Sequence, residues 1–333
     1  MGHYGCPWRG PAYDRGVVEG VSRFRLSLLD DHLRPAYYKL WAGLISMERE
    51  IDLGSYNEHD VNELYNAVKF DDPTLPNVVS FRFRRLGNSL MALPTYGISK
   101  IAYEDNLFRM REFGDRFLQT VSGSSFEREL TVHDHLAGTV AYHKGVPSDF
   151  SAIGPLLHSC GACEGVSKAV LYLLRICGVD AGVVTGETTS GELHAWNMVY
   201  LDGRCYHLDV TWDLRGYAGQ LRHDYLNVND SFMRRSRTWQ FAYPSGIMDA
   251  NYYSRCGIVI YRMEDLGRVM SQLISRRSNR IEYRISDALM KDFDAKTAEQ
   301  AIRDALSSVG GRYSGSYRPD TGCGIFDVSY HRD

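Results

Sequence analysis

Two alternating runs, LHAWNMVYL (193–201) and RCYHLDVTW (204–212), meet at Asp202-Gly203. Asp-Gly between such runs is the strongest short-range hairpin signal, because a type I′ turn needs positive φ at both central residues. A two-residue turn also fixes the register. Position 201 faces 204, so Asp209 falls opposite Trp196 and Thr211 opposite His194. Side chains alternate along a strand, which puts His194, Trp196 and Asp209 on one face. His194 and Asp209 are then diagonal neighbours about 7–8 Å apart, a gap that their side chains can close. His207 falls on the same face, so parity alone does not choose between the two histidines. Just upstream, Val166, Ala169, Val170, Leu173, Leu174 and Cys177 form the most regular helical stripe in the chain, with Gly178 at the C-cap. A helix running into an antiparallel hairpin makes the chain α+β.

The helix is preceded by HSCGACEG (158–165), which has three readings. A structural zinc site needs a second Cys or His pair at ligand spacing, and no second CxxC exists. A redox pair needs a strand before the helix, whereas VPSDFSAIGPLLHS reads as a turn-rich loop. The third reading seats Cys163 as a nucleophile at a helix start. There, unpaired amide N–H groups and the positive end of the helix dipole favour a thiolate. Gly161 and Gly165 are expected to let the backbone approach a substrate closely. A thiol, a strand histidine and a carboxylate to orient that histidine form a nucleophile–base–orienter set.

Around this centre the chain falls into three parts. Residues 1–122 read as an N-terminal extension. It begins with a loose lead-in to residue 22 and a helical stripe of Leu26, Leu29, Leu33, Tyr37 and Leu40. A strand pair follows the break DDPTLPN, and then a helix over 107–121 with Met110, Phe113, Phe117 and Val121 on one face. Residues 123–245 hold the candidate centre and a further helix over 131–143. Residues 246–333 alternate strand and helix as a small α+β unit, its last helix capped by Thr297 with Gln300.

Net charge is −3, which gives no reason to expect a nucleic acid or an anionic membrane as partner. No apolar run approaches membrane-spanning length, and MGHYGCPWRG lacks a signal-peptide core, so the expected location is the cytoplasm. The seven cysteines (Cys6, Cys160, Cys163, Cys177, Cys205, Cys256 and Cys323) are scattered and odd in number, as free thiols would be.

Three stretches resemble the transglutaminase-like (papain-related) superfamily, particularly its bacterial cysteine peptidase-like members: GACEGVSKAVLYLLRICGVDAGVVTGE, HAWNMVYLDGRCYHLDVTWD and HDYLNVNDSFM. The resemblance implies a papain-like, transglutaminase-type core with the nucleophile-bearing helix packed on an antiparallel sheet. It also implies a triad of Cys163, His194 and Asp209, and acyl transfer at an amide without metal or organic cofactor. Hydrolysis is expected over protein cross-linking. The implied substrate is a peptide or protein, cell-wall peptide and glycan-linked peptide included. Trp196 is expected as a wall of the substrate cleft. The sequence departs from the family in having Cys205 where Trp is common and Val166 where Tyr is frequent. Between Gly123 and Cys163 there is no Asn or Gln to bind an oxyanion. The Cys163 N–H would need help from His158, Ser159 or Tyr142. The rival expectation is an inactive relative that binds peptide or glycan.

Overall fold

The computed structural model describes residues 23–215, 221–240, 245–256, 258–290, 293, 295–307 and 311–330; the lead-in and Cys6 lie outside the described residues. The chain divides into two compact units. The larger runs to Leu221 and resumes over Tyr225–Ile247; the smaller comprises Arg222–Asp224 and Met248 onward.

In the larger unit the stripe from Leu26 to Leu40 is buried throughout. It is divided among a helix at Phe24–Leu28, a 3-10 turn at Asp31–Leu33 and a helix at Arg34–Ile45. Pro35 explains the break: it lacks an N–H and suits the first turn of a helix, so the long helix starts there. The next helix, Glu58–Asp71, opens on a capping box in which Asn57 accepts from the Asp60 N–H at 2.9 Å. Its last residue, buried Asp71, accepts from the backbone N–H groups of Arg25 (2.7 Å) and Leu26 (2.8 Å) and from the Tyr37 hydroxyl (3.0 Å). The Arg25 guanidinium donates to the Val183 carbonyl at 2.9 Å, which joins these helices to the central sheet. Strands Val78–Leu86 and Ser89–Tyr96 form the expected hairpin, turning at Gly87 with φ +58°.

Two helices begin earlier than apolar spacing indicates. The one expected over 107–121 runs Lys100–Leu118, started by Ser99, and Val121 lies beyond its end. The one expected over 131–143 runs Ser125–Thr139, started by a Ser124–Glu127 capping box. The second helix opens on the largely polar SFER, and in the first the polar run Glu104–Asn106 interrupts the apolar spacing, so a search for apolar period misses both starts.

The central sheet has four antiparallel strands in the order Arg204–Leu208, Leu193–Leu201, Asp180–Thr188, Arg237–Thr238. Asp202 (φ +49°) and Gly203 (φ +85°) make the hairpin turn, and pairing runs from Leu201 opposite Arg204 to Asn197 opposite Leu208. Helix Cys163–Ile176 packs across this sheet and fully buries Ala169, Val170, Leu173 and Leu174. Each such side chain contributes about 1.5–3 kcal/mol over leaving it in water. Asn197 ties strand to helix by donating to the Ser167 carbonyl at 2.9 Å.

The glycines flanking Cys163 serve this packing and not the expected approach of a substrate. A Cβ on Gly165 would overlap the Asp149 carbonyl oxygen and lie 2.9 Å from that of Ser151. One on Gly161 would meet Pro155 Cγ at 2.8 Å. Gly165→Ala is expected to cost at least the about 1–3 kcal/mol typical of overpacking, because both obstructing atoms are backbone. Urea unfolding measures it, and an unchanged midpoint would show that the 149–151 loop does not press on this helix.

The smaller unit is a four-stranded sheet, Val259–Ile260, Arg280–Ile285, Cys323–Ser329 and Arg312–Arg318 in spatial order, with helices Met263–Ser275 and Ala295–Ser307. Buried Asp224 accepts from Arg222, Tyr253 and Thr321 within it. Thr297 lies inside the last helix and does not cap it; Gln300 donates to Asp304 instead, at 2.7 Å. No helix among the described residues is long and apolar enough to cross a membrane.

Candidate active site

Cys163 is the first residue of its helix, and the N-cap Ala162 offers no side-chain oxygen to the first-turn N–H groups. The helix dipole favours negative charge beside these groups. The thiol is partly exposed. His194 and the Ala195 N–H are the neighbours that act on it. Burial pushes this thiol up, but His194, with the Ala195 N–H, outweighs burial and holds it below the ordinary cysteine value.

His194 lies near the start of its strand and is 7% exposed. Its Nε2–H donates to Asp209 Oδ2 at 2.7 Å, which leaves Nδ1 for the thiol. Burial disfavours the imidazolium, but the Asp209 carboxylate, and after it the Cys163 thiol, raise it to about 9. A lowered thiol against a raised imidazole is the condition for a thiolate–imidazolium pair.

Asp209 does not continue the strand as the register extrapolation had it. The strand ends at Leu208, and Asp209 caps the short helix Val210–Asp213, its Oδ1 accepting from the Trp212 N–H at 3.2 Å. Thr211 therefore does not face His194. The cap turns the carboxylate toward the imidazole and satisfies its second oxygen. Fully buried, the carboxyl would be pushed up, but His194 and then Arg237 hold it at about 2.

Arg237 is the residue that sequence reasoning missed. It is fully buried, donates to Asp209 Oδ2, and stacks over Trp212 at 3.8 Å and Tyr225 at 4.6 Å. In the sequence it sits in RRSRTW, where a run of arginines reads as a solvated face, and Arg234 and Arg235 are indeed exposed. The only signal was Thr238 and Trp239 behind it, a fragment of edge strand.

Trp196 does not wall a cleft. It is fully buried, its ring 5.8 Å from that of His194 and nearly parallel to it. Its indole N–H donates to His207 Nδ1 at 3.0 Å, and His207 Nε2–H donates to Asp230 at 2.7 Å. These bonds separate the two histidines. His207, buried and near Arg237 and Arg234, is held below its ordinary value despite Asp230, so it stays neutral. Its role is to seat Trp196 behind His194. Half-buried Trp212 is the aromatic nearer the open side, 5.9 Å from the imidazole.

Residues 111–210 match the family model of the transglutaminase-like superfamily. This part of the chain is a transglutaminase-like domain. A stretch of 61 residues is 38% identical to the kyphoscoliosis peptidases of Mus musculus and Homo sapiens, covering 15% of this chain and 9% of theirs. Among solved structures, a TGase is 14% identical with a TM-score of 0.31, over 51% of this chain and 52% of that one. A putative cysteine protease from Cytophaga hutchinsonii is 12% identical with a TM-score of 0.28, over 43% and 64%.

Within the transglutaminase-like core the remaining candidates lie as follows. Tyr142 is 55% exposed; partial burial and then the charge of Cys163 raise its phenol, so it stays protonated and can donate. His158 and Ser159 are exposed at the end of helix Ile153–His158, where Ser159 takes the left-handed cap at φ +53°. Cys160 and Cys163 are both free. Cys160 instead groups with His143 and Asp149, ligand atoms within 4.8 Å of one another. Asp149 is engaged there by His143 (2.7 Å) and the N–H groups of Gly145 and Val146, which makes it the organiser of the loop beneath Gly165.

Proposed function

We propose that the chain performs thiol-dependent acyl transfer at an amide, as a peptidase- or amidase-like hydrolase, through Cys163, His194 and Asp209. The observation that carries this reading is an imidazole held between a helix-start thiol and a buried carboxylate that is itself fixed by Trp212 and Arg237. His194 Nδ1 takes the proton of Cys163, and the thiolate attacks the amide carbonyl carbon. The Cys163 N–H receives the oxyanion, with the Tyr142 hydroxyl as second donor. The imidazolium protonates the leaving amine, and a thioester remains. His194 then takes a proton from water, the hydroxide releases the acid, and the thiol is restored. Asp209 keeps the ring in the orientation that presents Nδ1 to sulfur.

The test is amide hydrolysis across pH with Cys163→Ala as the blank. Turnover needs a thiolate with an imidazolium, so the acid limb follows the lowered Cys163 and the alkaline limb follows His194 at about 9. Asp209→Asn removes the charge that raises His194, and the alkaline limb should move down toward the ordinary histidine value of about 6.5. A limb that stays in place would uncouple Asp209 from the reaction. Cys163→Ala turnover equal to wild type would sink the reading, leaving the site to bind peptide or glycan.

A further inference from the structure

An open groove of about 550 Å³ begins one residue past Cys163, at Glu164, within the about 300–1,000 Å³ usual for ligand sites. One wall comes from Lys69 and from Leu75–Val79, which lead into and begin the first hairpin. The other comes from residues 144–147 together with Phe150, Glu164 and Lys168. Two chain segments lead from the thiol into it. Glu164 lines the groove and directly follows Cys163, with adjacent Cα atoms about 3.8 Å apart. Tyr142, which feels the charge of Cys163, stands two positions ahead of Lys144 at the rim.

The lining is apolar above and cationic below. Val79 and Val146, at 53% and 47% exposure, are among the most exposed large apolar side chains described, and both face this groove. At its base Glu164 accepts from Lys69 and from Lys168, each at 2.7 Å. One carboxylate thus serves two ammonium groups, and Lys144 adds a third cation. The other carboxylate acting on Lys168 is Asp72, already bound by Trp41 at 2.6 Å and by Thr74. Lys168 also donates to the Phe150 carbonyl at 3.2 Å, so both ammonium groups are held; the groove nonetheless carries more positive than negative charge, which an incoming anion balances.

We propose that this groove is the substrate cleft of the Cys163 centre and selects a peptide that carries a carboxylate side chain between apolar ones. The carboxylate meets Lys168, Lys69 and Lys144 while its apolar neighbours lie on Val79 and Val146. This rests on the amide-transfer reading for the reaction, and it gives the segment before Val79 a share in choosing the substrate.

The test uses full-chain Cys163→Ala and two fluorescein-labelled hexapeptides, Val-Glu-Leu-Glu-Val-Gly and its glutamine counterpart, read by fluorescence anisotropy. The acidic peptide is expected to bind about tenfold tighter or better. That preference should weaken as salt rises from about 0.05 to 0.5 M. Adding Lys144→Glu, a rim substitution that leaves the buried lysines in place, should bring the two peptides to within about twofold. Equal affinities, no binding of either peptide, or a preference unchanged by both Lys144→Glu and Lys69→Gln would overturn the proposal. Binding is read without the thiol, so it is decided separately from the reaction: a reactive Cys163 with no acidic preference removes only the cleft, and an ordinary thiol with that preference removes only the chemistry.

Discussion

At pH 6, iodoacetamide should label Cys163 one to two orders of magnitude faster in the wild-type chain than in His194→Ala, with His207→Ala close to wild type. An isolated thiol of pKa about 8.5 is only a fraction of a per cent thiolate at that pH. A thiolate–imidazolium pair is mostly ionised, and the gain is trimmed because nucleophilicity falls with pKa at a slope of about 0.4–0.5. The sign follows from the site: His194 holds the thiol down, so its removal raises Cys163 and slows the reaction. His207 is neutral and committed to Trp196 and Asp230. Its loss orphans a buried indole N–H, at about 1–3 kcal/mol of stability, with little effect on sulfur. Site-resolved mass spectrometry supplies slow controls in Cys160 and Cys256, whose thiols burial pushes up. Equal Cys163 rates in wild type and His194→Ala would make it an ordinary thiol.

The hairpin was legible in the sequence because Asp202-Gly203 admits one compact turn, and that turn fixed every pairing down to Asn197–Leu208. Parity failed one residue later. Asp209 leaves the ladder to cap a helix, and a local carboxylate-to-backbone bond is what lets it do so. The expected neighbour relation with His194 nevertheless holds at 2.7 Å, by a route the register argument did not contain. Trp196 was placed on the correct face, but a face says nothing about depth, and this one is covered. The helix start at Ser125 was hidden by a polar first turn, that at Lys100 by the polar run Glu104–Asn106 behind it, and the break at Pro35 by an unbroken apolar stripe. What no local pattern could reveal is closure from a distant strand. Arg237 reaches Asp209 only because Arg237–Thr238 pairs with the far edge of the sheet at Thr188 and Glu187.

That distant arginine carries the largest stability effect expected in the larger unit. Removing one partner of a buried ion pair typically costs about 3–5 kcal/mol, since the other charge stays buried. In Arg237→Met the Asp209 carboxylate keeps His194 and the Trp212 N–H, so a loss near the lower end, about 3 kcal/mol, is expected at pH 7. Arg237→Lys should fall between, because an ammonium keeps the charge but not the guanidinium's contact over the Trp212 ring. The pH dependence gives a second check. The folded Asp209 carboxyl sits at about 2, below its ordinary value, so its contribution is complete above about pH 4 and fades as pH falls toward 2. The gap between wild type and Arg237→Met in urea unfolding should therefore be full at pH 7 and pH 5 and shrink at pH 3. A gap under about 0.5 kcal/mol at pH 7, the range of an ordinary surface substitution, would mean that His194 alone holds Asp209 in its charged state. A gap of full size that did not narrow at pH 3 would assign the effect to the lost packing on Trp212 and Tyr225 instead of the ion pair.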